Sequence, residues 1–267
     1  MKNITKNKKI KGWHNHRLVK NIQLITLFGL PIWICVLWTN FTIQYFFLTL
    51  ISIMLISKVG HSAGQHRYFC HRSFVTGSAR EWGLALLATL CTTYSALHYA
   101  AVHRWHHKQS DSDLDPHTPK LYGLLRTFLG FTHPENTKNI PGSIIKDLLK
   151  NKPAVFFHNW YWPTIFTYWL ILSIINPVLI IFCYLIPVGY TQFVNGTQTF
   201  FGHKWGYKNY NTNDDSSNNT FWNILTLGEG LHNNHHYKPY EYNFAWDKKP
   251  GEWDFTGWLI NLCLRTK

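Results

Sequence analysis

Histidine is the residue type with the most evident chemistry in this 267-residue chain, which contains 16 of them. Several stand in short clusters with the spacing HxxHH or HxxxxH. Residues three and four apart share a helix face, so the first imidazole of an HxxHH cluster faces the same way as the last two. Imidazole suits Fe, Zn, Cu and Ni, and gives no reason to bind Ca or Mg. The candidate ligands are His66 and His71 (HxxxxH), His103, His106 and His107 (HxxHH), His232, His235 and His236 (HxxHH), and the isolated His203.

Two long segments without charge must position these clusters. Residues 21–57 contain no Asp, Glu, Lys, Arg or His, and residues 153–202 contain only His158 among these types. A spanning helix needs about 20 apolar residues, so each run has room for two slightly short spans. Asn176-Pro177 suits a turn within the second run. We therefore predict an all-α integral membrane protein, with transmembrane hairpins over 21–57 and 160–197 giving four spanning helices.

A shorter apolar segment lies between the clusters, at residues 81–100. Its charge-free part, 82–97, is short for a span, so we predict an interfacial helix there. Both hairpins then return the chain to one side, where all the histidine clusters can meet. Residues 1–20 hold seven Lys or Arg and no acid, which places that side in the cytoplasm. The prediction is one membrane-bound domain over 1–267, with both termini cytoplasmic and a cytosolic helical cap built from 58–152 and 198–267.

The overall charge has an explanation in this topology. Lys plus Arg is 26 and Asp plus Glu is 13, a formal charge of +13. The excess is concentrated in the N-terminal segment and after the first hairpin, and no nucleic-acid-binding motif accompanies it. We therefore predict contact with a lipid bilayer and no nucleic-acid partner.

The ligand set narrows the chemistry. Eight or nine imidazoles are too many for one ion and enough for two. Structural zinc sites are usually four-coordinate and built with Cys, whereas the five Cys here are scattered without CxxC spacing. No HExxH protease motif is present. Two open-sided metals beside a membrane favour dioxygen activation and attack on a C–H bond of a lipid.

The sequence around the histidines closely resembles the membrane-bound fatty acid desaturase family, and within it the delta-9 acyl-CoA (stearoyl-CoA) desaturase branch. Matching residues beyond the histidines include Arg67, Asp115 and Glu229. The segments that carry the resemblance are GHSAGQHRYFCHRSF (60–74), HRWHHKQSDSDLDPHTP (103–119), HKWGY (203–207) and GEGLHNNHH (228–236).

The resemblance implies a di-iron centre and O2 as co-substrate. It also implies a narrow, kinked tunnel for a saturated acyl chain, two electrons from outside, and a cis double bond as product. His232 opens the third cluster, which favours the delta-9 type. The implied iron ligands are His66, His71, His103, His106, His107, His203, His232, His235 and His236, and the residues expected beside them are Asn195, Thr199, Asp115, His117 and Glu229.

Two departures from the family pattern limit what it implies. The family usually has an Asn four residues before the isolated histidine, where this chain has Thr199, and Asn195 lies one helical turn earlier. The role of each is left open. The animal acyl-CoA enzymes have Arg-Asp directly before the second cluster, where this chain has Ala101-Val102. The sequence therefore does not distinguish among CoA, acyl carrier protein and phospholipid as the acyl carrier.

The remaining expectations concern partners and alternatives. Few residues follow 236, so we expect a separate electron donor, such as ferredoxin or cytochrome b5 with a reductase. The membrane would be the plasma membrane of a bacterium or the endoplasmic reticulum of a eukaryote. One alternative is a lipid or alkyl hydroxylase on the same di-iron scaffold. Another is a non-catalytic metal-binding membrane protein, which would place ionisable residues inside the spans.

Overall fold

The computed structural model describes residues 16–132 and 134–266, which form helices and loops without a β-strand. The basic segment 1–20, which predicts the cytoplasmic side of the membrane, lies mostly outside the described residues. The helices are α1 (His16–Thr39), α2 (Ile43–Ile53, continuing as a π-helix over Met54–Cys70), α3 (Ser78–Leu90), α4 (Ala96–Gln109), α5 (Pro119–Phe128), α6 (Pro134–Lys138), two 3-10 turns (Gly142–Ile145 and Leu148–Lys150), α7 (Lys152–Asn159), α8 (Tyr161–Ile175), α9 (Ile186–Phe201, preceded by a π-helical turn over Ile181–Leu185), α10 (Thr220–Leu225), α11 (His232–Tyr237) and α12 (Phe255–Leu259, followed by a π-helical turn over Ile260–Leu264).

The first predicted hairpin consists of α1 and α2. Arg17–Thr39 and Ile43–Cys70 are long and apolar enough to cross a membrane. The turn between them ends at Thr42, whose side chain accepts a hydrogen bond from the Tyr45 N–H at 3.2 Å and caps α2. In the second predicted hairpin, α8 has 15 residues and is shorter than a typical span. Among the described residues, only the first hairpin therefore has two helices of spanning length.

The single interfacial helix predicted over 81–100 is wrong, because the chain breaks there into two helices. Helix α3 ends at Leu90 and α4 begins at Ala96. Between them Thr92 and Tyr94 have φ of 55° and 67°, which no continuous helix can accommodate. Ser95 then caps α4 by accepting a hydrogen bond from the His98 N–H. The break gives α4, which carries the first HxxHH cluster, its own direction.

Helix α9 approaches its neighbours closely through two glycines. A methyl group at Gly189 would overlap the Thr26 carbonyl of α1, and one at Gly196 would overlap the Phe128 carbonyl of α5. Small residues allow such close packing between helices in a membrane protein. Helix α9 is thereby fixed between α1 and α5, and His203 follows two residues after its end.

Two apolar cores pack against the histidine-bearing segments. The first lies between the π-helical end of α2, α3, α4 and the chain around residue 148, and the second lies among α2, α8 and the start of α9. Their fully buried members include Phe69, Leu84, Ala100 and Leu148 in the first core, and Ile165, Phe182, Tyr184 and Val188 in the second.

Candidate metal centre

Five of the predicted ligands meet in one buried group. His66 lies in the π-helical continuation of α2, and His71 comes directly after its end. His103 and His107 lie on α4, and His235 lies on α11. One nitrogen from each of these five side chains lies within 4.8 Å of the others. We name this set, His66, His71, His103, His107 and His235, the five-histidine group.

Four of these nitrogens form a closed ring with nearly equal sides. The Nε2–Nε2 distances are 2.9 Å from His66 to His103, 3.1 Å from His103 to His107, 3.0 Å from His107 to His235 and 3.1 Å from His235 to His66. The centre of a square with such sides is about 2.1 Å from each corner, which is the usual length of a metal–imidazole bond. The ring therefore has the size required to hold a metal ion.

His71 lies close to all four side chains of this ring. The centroid of its imidazole lies 4.9, 5.1, 4.6 and 4.7 Å from those of His66, His103, His107 and His235. It could therefore serve as a fifth ligand. Its Nε2 is buried and has no hydrogen-bond partner within residues 16–132 and 134–266. An unpaired buried nitrogen at this point fits an ion at the centre of the ring.

The other four predicted ligands form a second group next to the first. His106, His203, His232 and His236, the four-histidine group, also bring one nitrogen each within 4.8 Å of one another. The Nε2 atoms of His203 and His232 are 3.0 Å apart. The two groups take adjacent residues from α4 and from α11, and the rings of His107 and His236 stack at 4.3 Å. Two metal sites would therefore lie side by side.

Carboxylates hold the outer nitrogens of three histidines in the four-histidine group. The Nδ1 of His106 is 2.9 Å from Asp115, that of His203 is 2.9 Å from Asp111, and that of His236 is 2.7 Å from Asp214. A carboxylate on Nδ1 fixes the tautomer and leaves Nε2 free for a metal.

The histidines of the five-histidine group that lie outside the spans are held neutral. Burial lowers the pKa of His103, His107 and His235 well below the usual value, and the neighbouring imidazoles lower it further. A metal needs the neutral form, so these side chains do not have to lose a proton to bind one. His106 differs, because Asp115 and other carboxylates outweigh its burial and raise its pKa. Burial would raise the pKa of Asp115, but His106 lowers it to about 2.

We expect Asp214→Asn to weaken metal binding at the four-histidine group by about 10–100-fold, the usual effect of losing such an outer partner. Asparagine removes the charge that orients His236. The measurement is the metal retained after dialysis against a chelator. Asp215→Asn is the matched control, because the exposed Asp215 contributes its backbone N–H to Asp111 and its side chain contacts none of these imidazoles. Equal metal retention in the Asp214 and Asp215 variants would contradict the assignment.

The other predicted neighbours of the ligands lie at different distances from them. Glu229 Oε2 is 3.7 Å from His66 Nδ1, and the ring of His117 stacks on that of His106 at 4.3 Å. Asn195 and Thr199 line a cavity that His103, His106 and His232 also line. The Thr199 hydroxyl donates to the Asn195 carbonyl at 2.8 Å, within α9. Within residues 16–132 and 134–266, neither of these two side chains forms a hydrogen bond with a ligand nitrogen.

Sequence reasoning missed several residues that support the ligands. The polar segment 209–219 supplies Asp214. It also supplies Asn218, whose Oδ1 accepts from the backbone N–H groups of Asn233 and Asn234 and so caps α11. Asp111 was missed as well. The available signal was a loop rich in Asp and Asn lying between two ligands, but no spacing rule says which of its side chains turn inward.

Comparisons with known proteins agree with this geometry. The family model described as fatty acid desaturase matches residues 38–254, most of the chain. The chain is 28% identical over 208 residues to a Delta(9)-fatty-acid desaturase of Caenorhabditis elegans, covering 72% of this chain and 60% of the relative. It is 29% identical over 205 residues to an acyl-CoA Delta(11) desaturase of Trichoplusia ni, covering 71% and 58%. It is 25% identical over 253 residues to the stearoyl-CoA desaturase of Bos taurus, covering 86% and 66%. The chain thus spans about three fifths of the length of the first two relatives.

Proposed function

Because the chain belongs to the fatty acid desaturase family, we propose that it is an O2-dependent acyl desaturase that forms a cis double bond with a di-iron centre. The observation that carries this proposal is the division of nine histidines into two adjacent groups beside a cavity. One relative is named for delta-9 desaturation of a fatty acid and another for delta-11 desaturation of acyl-CoA, and both names support an acyl substrate. A delta-9 position is the one that we propose.

The donor set fits iron. All nine donors are imidazole nitrogens, which suit iron and other transition metals, and no thiolate is among them. The five-histidine and four-histidine groups would each hold one ion. Two bound iron ions would supply O2 activation and the removal of hydrogen from an unactivated C–H bond. The protein keeps the ligands of the five-histidine group neutral and fixes the tautomers of three others through Asp111, Asp115 and Asp214, and the adjoining cavity would position the acyl chain.

The membrane arrangement is part of the proposal. Helices α1 and α2 form the first spanning hairpin, and α8 with α9 and the π-helical turn before it form the second. The exposed apolar side chains of α8 support its contact with lipid, among them Leu170 at 60% and Ile174 at 75% exposure. Both termini and the histidine groups would face the cytoplasm. The two electrons would come from a separate donor of the ferredoxin or cytochrome b5 type.

Expression in a host with simple membrane lipids tests the function. We expect a new monounsaturated fatty acid, and mass spectrometry of its derivatised double bond should locate the unsaturation near carbon 9. The control is the His106→Ala variant, which should insert in the membrane and form no such product. A hydroxylated fatty acid in place of the alkene would assign the chain to hydroxylation, and no new product at all would contradict the proposal.

A further inference from the structure

The four histidines of the four-histidine group differ in the partners of their outer nitrogens. The Nδ1 atoms of His106, His203 and His236 each face a carboxylate. The Nδ1 of His232 faces an amide instead, because it lies 3.4 Å from the Nε2 of Gln198 and no carboxylate pairs with it within the described residues. Gln198 therefore stands where the other three ligands have an aspartate.

The end of α9 holds this glutamine beside the imidazole. Gly202 follows Gln198 by four residues, and its N–H donates to the Gln198 carbonyl at 3.0 Å, so the two residues lie on one face of the helical backbone. A methyl group at Gly202 would lie 2.6 Å from the Cδ2 of His232. The His232 ring thus packs directly against the backbone at Gly202, and the Gln198 side chain reaches it from one turn earlier.

The other nitrogen of His232 points toward the centre of the four-histidine group. Its Nε2 lies 3.0 Å from the Nε2 of His203. An imidazole that binds a metal through Nε2 carries its proton on Nδ1, which then needs an acceptor. A glutamine amide has an acceptor oxygen and a donor nitrogen at its two ends. Gln198 can therefore accept a hydrogen bond from Nδ1 through Oε1 when His232 holds a metal, as the aspartates do for the other three ligands.

The amide also forms part of the wall of the cavity. Gln198 and His232 both line it, whereas Asp111, Asp115 and Asp214 are not among the described residues that do. Gln198 is 8% exposed, so a charge at this position would be nearly buried. A buried charge beside an apolar chain costs much more free energy than a neutral amide that has a hydrogen-bond partner. In this group, the ligand whose partner borders the cavity is thus the ligand whose partner is uncharged.

We propose that Gln198 is a positioning residue of the four-histidine group, which fixes the tautomer of His232 and keeps the cavity wall beside the substrate uncharged. This inference rests on the proposed function, in which the cavity holds the acyl chain. Asn195 and Thr199 were the candidates from the sequence for a polar partner on α9. Within the described residues their side chains form no hydrogen bond with a ligand nitrogen, whereas the Gln198 amide adjoins one.

Metal retention tests the first part of this proposal. The Fe(II)-reconstituted protein is dialysed against a chelator, and the iron left per chain is measured. We expect Gln198→Leu to weaken binding at the four-histidine group by about tenfold, the lower end of the usual effect of losing an outer partner, and to leave the ion of the five-histidine group in place. Gln198→Glu should retain at least as much iron as wild type, because its carboxylate supplies the acceptor.

Asn195→Leu is the matched control, because it removes an amide from the same helix and the same cavity wall. Equal iron loss in Gln198→Leu and Asn195→Leu would overturn the proposal. A loss in Gln198→Glu as large as that in Gln198→Leu would also overturn it. Since glutamate and glutamine have nearly the same shape, iron retention in Gln198→Glu separates a hydrogen-bond acceptor for His232 from a role in packing alone.

Binding of an apolar chain without a carrier tests the second part. The iron-loaded protein is titrated with octadecane. We expect Gln198→Glu to raise the dissociation constant by about tenfold with its iron content retained, because the new carboxylate borders the cavity. An unchanged dissociation constant would overturn the claim that the wall must be uncharged. A protein that shows both effects of Gln198 and forms no alkene would instead refute the proposed function and leave the role of Gln198 standing.

Discussion

His235→Ala should abolish desaturation and leave about one iron ion per chain. The Nε2 of His235 is one corner of the nitrogen ring, 3.1 Å from that of His66 and 3.0 Å from that of His107. Losing an outer partner of a ligand already costs about 10–100-fold, so losing a ligand from the ring should lower activity by well over about 100-fold. The four-histidine group does not include His235 and should keep its ion. The measurement combines iron quantification with the fatty acid profile.

A second buried histidine provides the control. His158→Ala removes an imidazole that contacts the Ser95 hydroxyl at 2.7 Å and belongs to neither group. We expect this variant to keep two iron ions and its activity. If His235→Ala retained both ions and normal activity, the assignment of the five-histidine group would be wrong.

Arg67→Met should destabilise the protein more than any exposed charge substitution. The Arg67 guanidinium is fully buried and lies 2.6 Å from Asp254 and 2.7 Å from Glu229. It also donates to the Tyr242 carbonyl at 2.6 Å and packs 3.7 Å from the ring centroid of Phe244. Burial alone would raise the pKa of Glu229, but Arg67 and His66 hold it well below its usual value, so that carboxylate stays charged.

The size of this effect follows from the charges left behind. Removing one partner of a buried ion pair typically costs about 3–5 kcal/mol. For a chain of this size that corresponds to a fall in Tm of about 6–20 °C, measured by thermal unfolding in detergent. Arg72→Met is the control, because Arg72 is 40% exposed and its pair with Asp147 is worth at most about 1 kcal/mol. An equal fall in Tm for Arg67→Met and Arg72→Met would contradict a larger contribution from the buried ion pairs of Arg67.

The metal ligands could be predicted from the sequence more completely than the residues that hold them in place. Histidines have few roles that require regular spacing, so HxxHH clusters identify ligands even when the clusters are far apart in the chain. Their partners carry no such pattern. Asp111 and Asp214 reach His203 and His236 only because two loops fold against them, and this depends on long-range packing. Likewise, the HxxxxH pair would diverge on an ideal α-helix, and it converges because this segment is π-helical, with the His71 N–H bonded to the His66 carbonyl five residues earlier.

The fold shows the same division between local and long-range information. Uncharged runs predicted α1 and α2, because a long stretch without charge is a local property. The break between α3 and α4 was missed, since Thr92 and Tyr94 adopt left-handed backbone that their residue types do not favour. The end of α8 was also locally encoded, because Asn176-Pro177 predicts a turn there and the helix stops at Ile175.

Iron quantification on the purified, Fe(II)-reconstituted wild type tests the central claim most directly. The account predicts close to two iron ions per chain, one for each histidine group. A value near zero or near one would contradict it, because five and four converging imidazoles could not then be two iron sites.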